Sequence, residues 1–107
     1  MTITVDAIAM GLNPGVLNAL QSEFIRIPQV QQARVYGSRA KGNYRPGSDI
    51  DIALFGSALT PQHLLTLENR LDDLLLPHQI DLCHFESLQN PALIDHIRRI
   101  GIIIYTR

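Results

Sequence analysis

The sequence is poor in the residues that build disulfide frameworks and zinc sites. It contains one cysteine, no tryptophan and few aromatic residues. Cys83 alone cannot form an internal disulfide, and the four histidines lack the spacing of a zinc site. We interpret Cys83, which lies in a predicted strand, as an apolar filler of the core.

Long apolar runs and an excess of positive charge are also missing. No apolar run approaches the roughly 18–20 residues that span a bilayer, and the N-terminus lacks a signal-peptide pattern. The sequence therefore predicts a cytoplasmic protein without a membrane partner. Nine Lys and Arg against ten Asp and Glu give a formal net charge of -1, so we expect no direct nucleic-acid partner.

The chain of 107 residues has the size and the 46% hydrophobic content of one globular domain, and we assign residues 1–107 to a single domain. Apolar spacing, cap residues and prolines predict alternating helices and strands. The predicted strands are 30–36, 49–55, 79–85 and 102–105, and the predicted helices follow Asn13-Pro14, Thr60-Pro61 and Asn90-Pro91.

This order predicts the α/β (α+β) class, with a small mixed sheet and helices mainly on one face. The helix after Thr60-Pro61 is expected to stop near Pro77. The opening segment, residues 1–12, has only weak alternation at Ile3 and Val5. We interpret it as an arm or an extra strand.

Two carboxylates occur with the period of a strand. In Ser48-Asp49-Ile50-Asp51-Ile52, alternation puts Asp49 and Asp51 on one face, with Cα atoms about 7 Å apart. Both side chains could then approach one hard divalent cation. A solvated strand face is the alternative interpretation, but the apolar residues that follow on the same face favour a site at the entry of the strand.

A third acid, Asp81, lies in the next predicted strand, opposite in face to Ile80 and Leu82. Three clustered carboxylates repel one another unless a metal lies between them, and such clusters hold the two metal ions of phosphoryl- and nucleotidyl-transfer sites. Asp49, Asp51 and Asp81 are therefore the candidate catalytic and metal-binding residues.

A glycine-containing turn separates the first two strands. In Gly37-Ser38-Arg39-Ala40-Lys41-Gly42, backbone N–H groups that open a short helix would form an anion site. Arg39, Lys41 and Arg45 supply cations to the same region. The segment is not a Walker A loop, because Asn43 occupies the position that requires lysine. A generic strand-to-helix turn is the alternative.

Together these motifs resemble the minimal nucleotidyltransferase domains of the DNA polymerase β-like superfamily. Their hallmark is Gly-Ser, ten residues and Asp-x-Asp, which matches Gly37-Ser38, Arg39 to Ser48 and Asp49-Ile50-Asp51, with Asp81 as the later strand acid. The resemblance implies that Gly37 and Ser38 hold the phosphates of ATP and that the three acids bind two Mg²⁺ ions. Arg39 is a further candidate for phosphate contact.

The resemblance also implies a partner and an acceptor. Minimal members of the superfamily pair with a separate helical protein of the HEPN type, often as the antitoxin of a toxin–antitoxin module. Some attach AMP to a tyrosine of that partner. We therefore expect an antitoxin that moves AMP from ATP to the partner's tyrosine, in a hetero- or homo-oligomer. The alternatives are a non-catalytic module that neutralises its partner by contact, and adenylylation of a small molecule.

Overall fold

Helices and strands alternate through the computed structural model, which describes residues 6–107. Within those residues the four strands are β1 (Gln32–Tyr36), β2 (Ile50–Phe55), β3 (Ile80–His84) and β4 (Ile102–Thr106). The α-helices are α1 (Pro14–Ile25), α2 (Ser38–Lys41), α3 (Pro61–Asp73) and α4 (Pro91–Ile100). In the same described range, two 3₁₀ helices span Ile8–Met10 and Phe85–Ser87.

Side-chain caps start the three longer helices where the sequence predicts them. Asn13 accepts a hydrogen bond of 2.7 Å from the Gly15 N–H, and Thr60 accepts one of 3.3 Å from the His63 N–H. Asn90 caps α4 in the same way, and a proline follows each cap in the first turn. A capped N-terminus satisfies donors that have no partner within the helix, which fixes where each helix begins.

The sheet is mixed and has the strand order β3-β2-β1-β4. β1 pairs antiparallel with both β2 and β4, whereas β2 and β3 run parallel. A parallel pair needs a crossover connection, and α3 provides it between β2 and β3. The predicted fold class and mixed sheet are confirmed.

The two faces of the sheet are covered differently. Ile50, Ile52 and Leu54 of β2 are fully buried in the main core, to which α1 and α3 contribute Leu20 and Leu67. The opposite face of β2 and β1 carries the polar residues. The shorter α4 packs there against β1.

The predicted end of one helix differs from the structure. α3 ends at Asp73 and not near Pro77, because Leu75 adopts a left-handed conformation with φ 53°, which terminates a helix. The predicted alternation at Ile3 and Val5 lies outside the described residues, and Ile8–Met10 forms a 3₁₀ turn. Within residues 6–107, no helix is long and apolar enough to cross a membrane.

Candidate active site

Strand register places two of the predicted acids side by side. Asp51 of β2 is the register partner of Asp81 on parallel β3 and of Tyr36 on antiparallel β1. Residues paired in register point to the same face, so Asp81, Asp51 and Tyr36 form one row across three strands. Asp81 is exposed and Asp51 is half-buried.

The third predicted acid, Asp49, lies just before β2 and is exposed. Within residues 6–107, no three Asp, Glu, His or Cys side chains converge as a preformed metal-binding group. Asp51 and Asp81 are therefore the pair that the fold brings together, and Asp49 is a neighbour at the entry of the strand.

The electrostatic environment of Asp51 includes both neighbouring acids. Burial raises the pKa of the Asp51 carboxyl, and the charges of Asp81 and Asp49 raise that pKa further. The charged form of Asp51 is thus disfavoured by the protein itself. Carboxylate oxygens are the ligands that Mg²⁺ prefers, so the donor set fits a divalent cation, whose charge would relieve this repulsion.

Gly37 packs directly against Asp51. Its φ of 73° and ψ of -151° form a conformation that is open essentially only to glycine. A Cβ atom at this position would lie 2.6 Å from Oδ2 of Asp51. The first glycine of the turn is therefore required because the carboxylate occupies the space where a side chain would be.

The Gly37 N–H is already engaged in this structure. It donates a hydrogen bond of 3.0 Å to Nε2 of His96, which lies on α4. The first helical bonds of the turn are donated by Lys41 and Gly42 to the carbonyls of Gly37 and Ser38. The N–H groups between them, those of residues 38–40, have no acceptor within a helix this short and are the donors that an anion would meet.

Arg39 does not occupy the place that the sequence predicts for it. Its side chain is 1% exposed, and the guanidinium donates to the carbonyls of Met10, Gly11 and Ser48, the last at 2.7 Å. The guanidinium also lies over the Tyr44 ring. This geometry is at odds with phosphate contact and gives Arg39 a structural role, because its donors are used to hold the turn.

The Arg39 contacts join three segments around the site. Ser48 directly precedes Asp49, so the bond to its carbonyl fixes the chain at the point where the acidic motif begins. The cations of this region that remain exposed are Lys41 and Arg45.

Two further residues take places in the site that the sequence does not specify, although Tyr36 directly precedes the glycine-containing turn. Tyr36 lies in the acidic row, and its hydroxyl is 3.6 Å from Sγ of Cys83. Burial raises the pKa values of both Tyr36 and Cys83, which keeps them protonated. His96 reaches Gly37 across 59 positions of sequence, so only the packing of α4 reveals it.

Comparison with known proteins agrees with this geometry. The family model described as "Polymerase beta, Nucleotidyltransferase" matches residues 18–107, a range that contains all four strands and the three acids. No curated protein matches the chain.

Solved structures share the fold. A chain of a toxin–antitoxin complex crystallised with AMP-PNP is 25% identical, has a TM-score of 0.67, and is matched over 90% of the present chain and 75% of its own length. A protein described as a minimal nucleotidyltransferase is 27% identical, with a TM-score of 0.63 and coverages of 83% and 89%. A chain of a Shewanella oneidensis complex between a tri-AMPylated HEPN toxin and an MNT antitoxin is 21% identical, with a TM-score of 0.58 and coverages of 85% and 73%.

The contact between Gly37 and Asp51 predicts unequal effects at two glycines of the turn. Gly37→Ala should lower the free energy of unfolding by about 1–3 kcal/mol more than Gly42→Ala, because the new methyl group must displace the Asp51 carboxylate. Gly42 also has positive φ, at 85°, but an added Cβ there meets nothing within 4 Å. Urea unfolding of both variants measures the difference. Equal losses of unfolding free energy would contradict the steric conflict with Asp51.

The buried guanidinium predicts that charge alone cannot replace Arg39. Arg39→Lys should lower the free energy of unfolding by about 2–4 kcal/mol, because one ammonium group cannot reach carbonyls on separate segments. Lys41→Arg, an exposed change in the same turn, is the matched control and should be neutral. If urea unfolding finds Arg39→Lys as stable as the parent chain, the structural role is wrong.

Proposed function

We propose that this chain, which belongs to the polymerase beta nucleotidyltransferase family, transfers AMP from ATP to a tyrosine of a HEPN-type toxin. In this proposal the chain is the antitoxin of that toxin. The observation that carries the proposal is the register pairing of Asp51 with Asp81, with the Gly37 turn packed against Asp51. This arrangement puts an anion-binding turn next to paired carboxylates, as transfer from a nucleoside triphosphate requires.

The nature of the donor and acceptor is supported by the similar structures. One complex contains AMP-PNP, an analogue of ATP, and another contains an AMPylated HEPN toxin. We carry both properties over to this chain as part of the proposal. The 107 residues would then form a single nucleotide-binding domain, and the partner would bring the acceptor hydroxyl.

In this proposal each residue of the site has one task. Gly37 leaves room for the Asp51 carboxylate, and the Ser38 hydroxyl and the N–H groups of residues 38–40 bind the phosphates. Asp49, Asp51 and Asp81 would hold two Mg²⁺ ions. When bound, these ions neutralise phosphate charge and orient the attacking and leaving oxygens.

The reaction is an in-line displacement at the α-phosphorus. The acceptor oxygen forms a bond to this phosphorus as the bond to the bridging oxygen of the β-phosphate breaks, and pyrophosphate leaves. The hydroxyl proton goes to a carboxylate oxygen of Asp81, which is exposed at the outer strand and so open to an acceptor. The other residues position the reactants, which is the largest part of catalysis in this class of reaction.

Label transfer tests the reaction type. With Mg²⁺ and a lysate that contains the partner, ATP labelled at the α-phosphate should label a protein, and ATP labelled at the γ-phosphate should not. Asp49→Asn/Asp51→Asn should reduce the transfer at least about 100-fold. Asp95→Asn, which removes an exposed acid on α4, should leave it unchanged.

Two outcomes would contradict the proposed function. Label from the γ-phosphate alone would indicate a kinase. No transfer of either label, together with intact binding and neutralisation of the partner by the double variant, would indicate a module that acts by contact.

The raised pKa of Asp51 predicts that this carboxylate stabilises the protein only when a cation is bound. Without Mg²⁺, Asp51→Asn should raise the free energy of unfolding at neutral pH, because the folded state disfavours the charge. As the pH falls through the raised pKa, Asp51 in the parent chain becomes protonated and the advantage of the variant disappears. Urea unfolding in EDTA, from neutral pH down to about the ordinary pKa of a carboxyl group, measures this effect.

The same measurement with Mg²⁺ tests the metal site. Added Mg²⁺ should stabilise the parent chain and the Asp95→Asn control, and should stabilise Asp51→Asn much less. An equal response of all three proteins would place the Mg²⁺ ions elsewhere.

A further inference from the structure

The hydrogen bond between Gly37 and His96 connects α4 to the glycine-containing turn. A backbone N–H can only donate, so Nε2 of His96 is the acceptor in this bond of 3.0 Å. The bond joins α4 to the residue between the end of β1 and the start of α2. A glycine and a histidine in the sequence do not by themselves indicate such a bond.

The imidazole of His96 is held by a contact with one ring and by the anchored helix that carries it. The next residue, Ile97, is fully buried and anchors this turn of α4. The ring of Tyr36 meets the His96 ring edge-on, with 6.1 Å between centroids and an angle of 78° between planes. The Asn90 cap fixes the start of the helix. His96 is therefore a fixed acceptor toward which Gly37 is turned.

The Gly37 peptide needs such a partner. Glycine has the widest conformational freedom of any residue, and φ 73° with ψ -151° is one of many conformations open to it. In this conformation the Gly37 carbonyl accepts the Lys41 N–H and so starts α2. A change in the backbone angles of Gly37 would move Ser38 and the N–H groups that follow it.

We propose that His96 is a positioning residue that holds the Gly37 peptide, so that Ser38 and the first turn of α2 face the nucleotide phosphates. In this arrangement the Gly37 N–H binds His96 and not a phosphate, and the contribution of Gly37 to the site is steric. The inference rests on the proposed nucleotide site and adds to it a residue outside the family motif.

Substitutions of His96 by side chains of different length test the inference. The side-chain oxygen of Gln can reach the position of Nε2 and accept the same N–H, whereas that of Asn is too short. His96→Ala and His96→Asn should weaken the binding of a non-hydrolysable ATP analogue with Mg²⁺ about tenfold, the effect of one hydrogen bond. His96→Gln should restore affinity to within about threefold of the parent chain.

His63 provides a control for loss of stability alone. On α3, Nδ1 of His63 accepts the Thr60 N–H at 3.1 Å, a bond of the same kind at another helix start. His63→Ala should lower the thermal unfolding temperature but leave nucleotide affinity unchanged while the protein is folded. If His96→Gln binds as weakly as His96→Ala, or if all variants bind equally, the inference is overturned.

Exchange of the Gly37 amide proton with solvent, followed by NMR, tests the contact without nucleotide. Exchange should be slow in the parent chain and in His96→Gln, and faster in His96→Ala. Unchanged exchange in His96→Ala would overturn the inference. A parent chain that binds no nucleotide would instead overturn the proposed function. The exchange rate of the Gly37 amide would still show whether His96 holds Gly37.

Discussion

The close approach between the Gly37 backbone and the Asp51 carboxylate is the constraint on which the rest of the site depends. It requires β1 and β2 to pair in the register that puts Tyr36 opposite Asp51, because the turn leaves β1 directly after Tyr36. A shift of one residue would turn Asp51 into the core and bring Ile50 or Ile52 to the turn. The buried isoleucines oppose this shift, so the hydrophobic core fixes the geometry of the polar face.

The cations of the turn divide into a structural and an exposed set. Arg39 is buried and holds the carbonyls of Met10, Gly11 and Ser48, whereas Lys41 is exposed. A planar guanidinium with five donors can serve several carbonyls at once, which an ammonium group cannot do. The turn and the segment before the acidic motif are thereby tied together without using the exposed charge.

The elements, and the strand face on which each acid lies, could be predicted from local patterns, since caps, prolines and a strand period of two depend on neighbouring residues. The contacts that Arg39 and His96 make could not be predicted in this way. An arginine in a glycine turn suggests phosphate contact, and only tertiary structure shows that carbonyls from distant segments surround it. His96 is one of four histidines without a motif, and the packing of α4 distinguishes it. The steric role of Gly37 depends in turn on strand register.

The unequal covering of the sheet explains why the acids are tolerated. On the core face an unpaired carboxylate would carry a desolvation cost of several kcal/mol. On the face toward α4, Asp51 keeps partial access to water, and Asp49 and Asp81 are exposed. Their repulsion still disfavours the charge of Asp51, and folding alone does not remove it. In the proposed function, a divalent cation held by these carboxylates would offset their repulsion. The stability of the fold and the proposed chemistry would then depend on the same ligand.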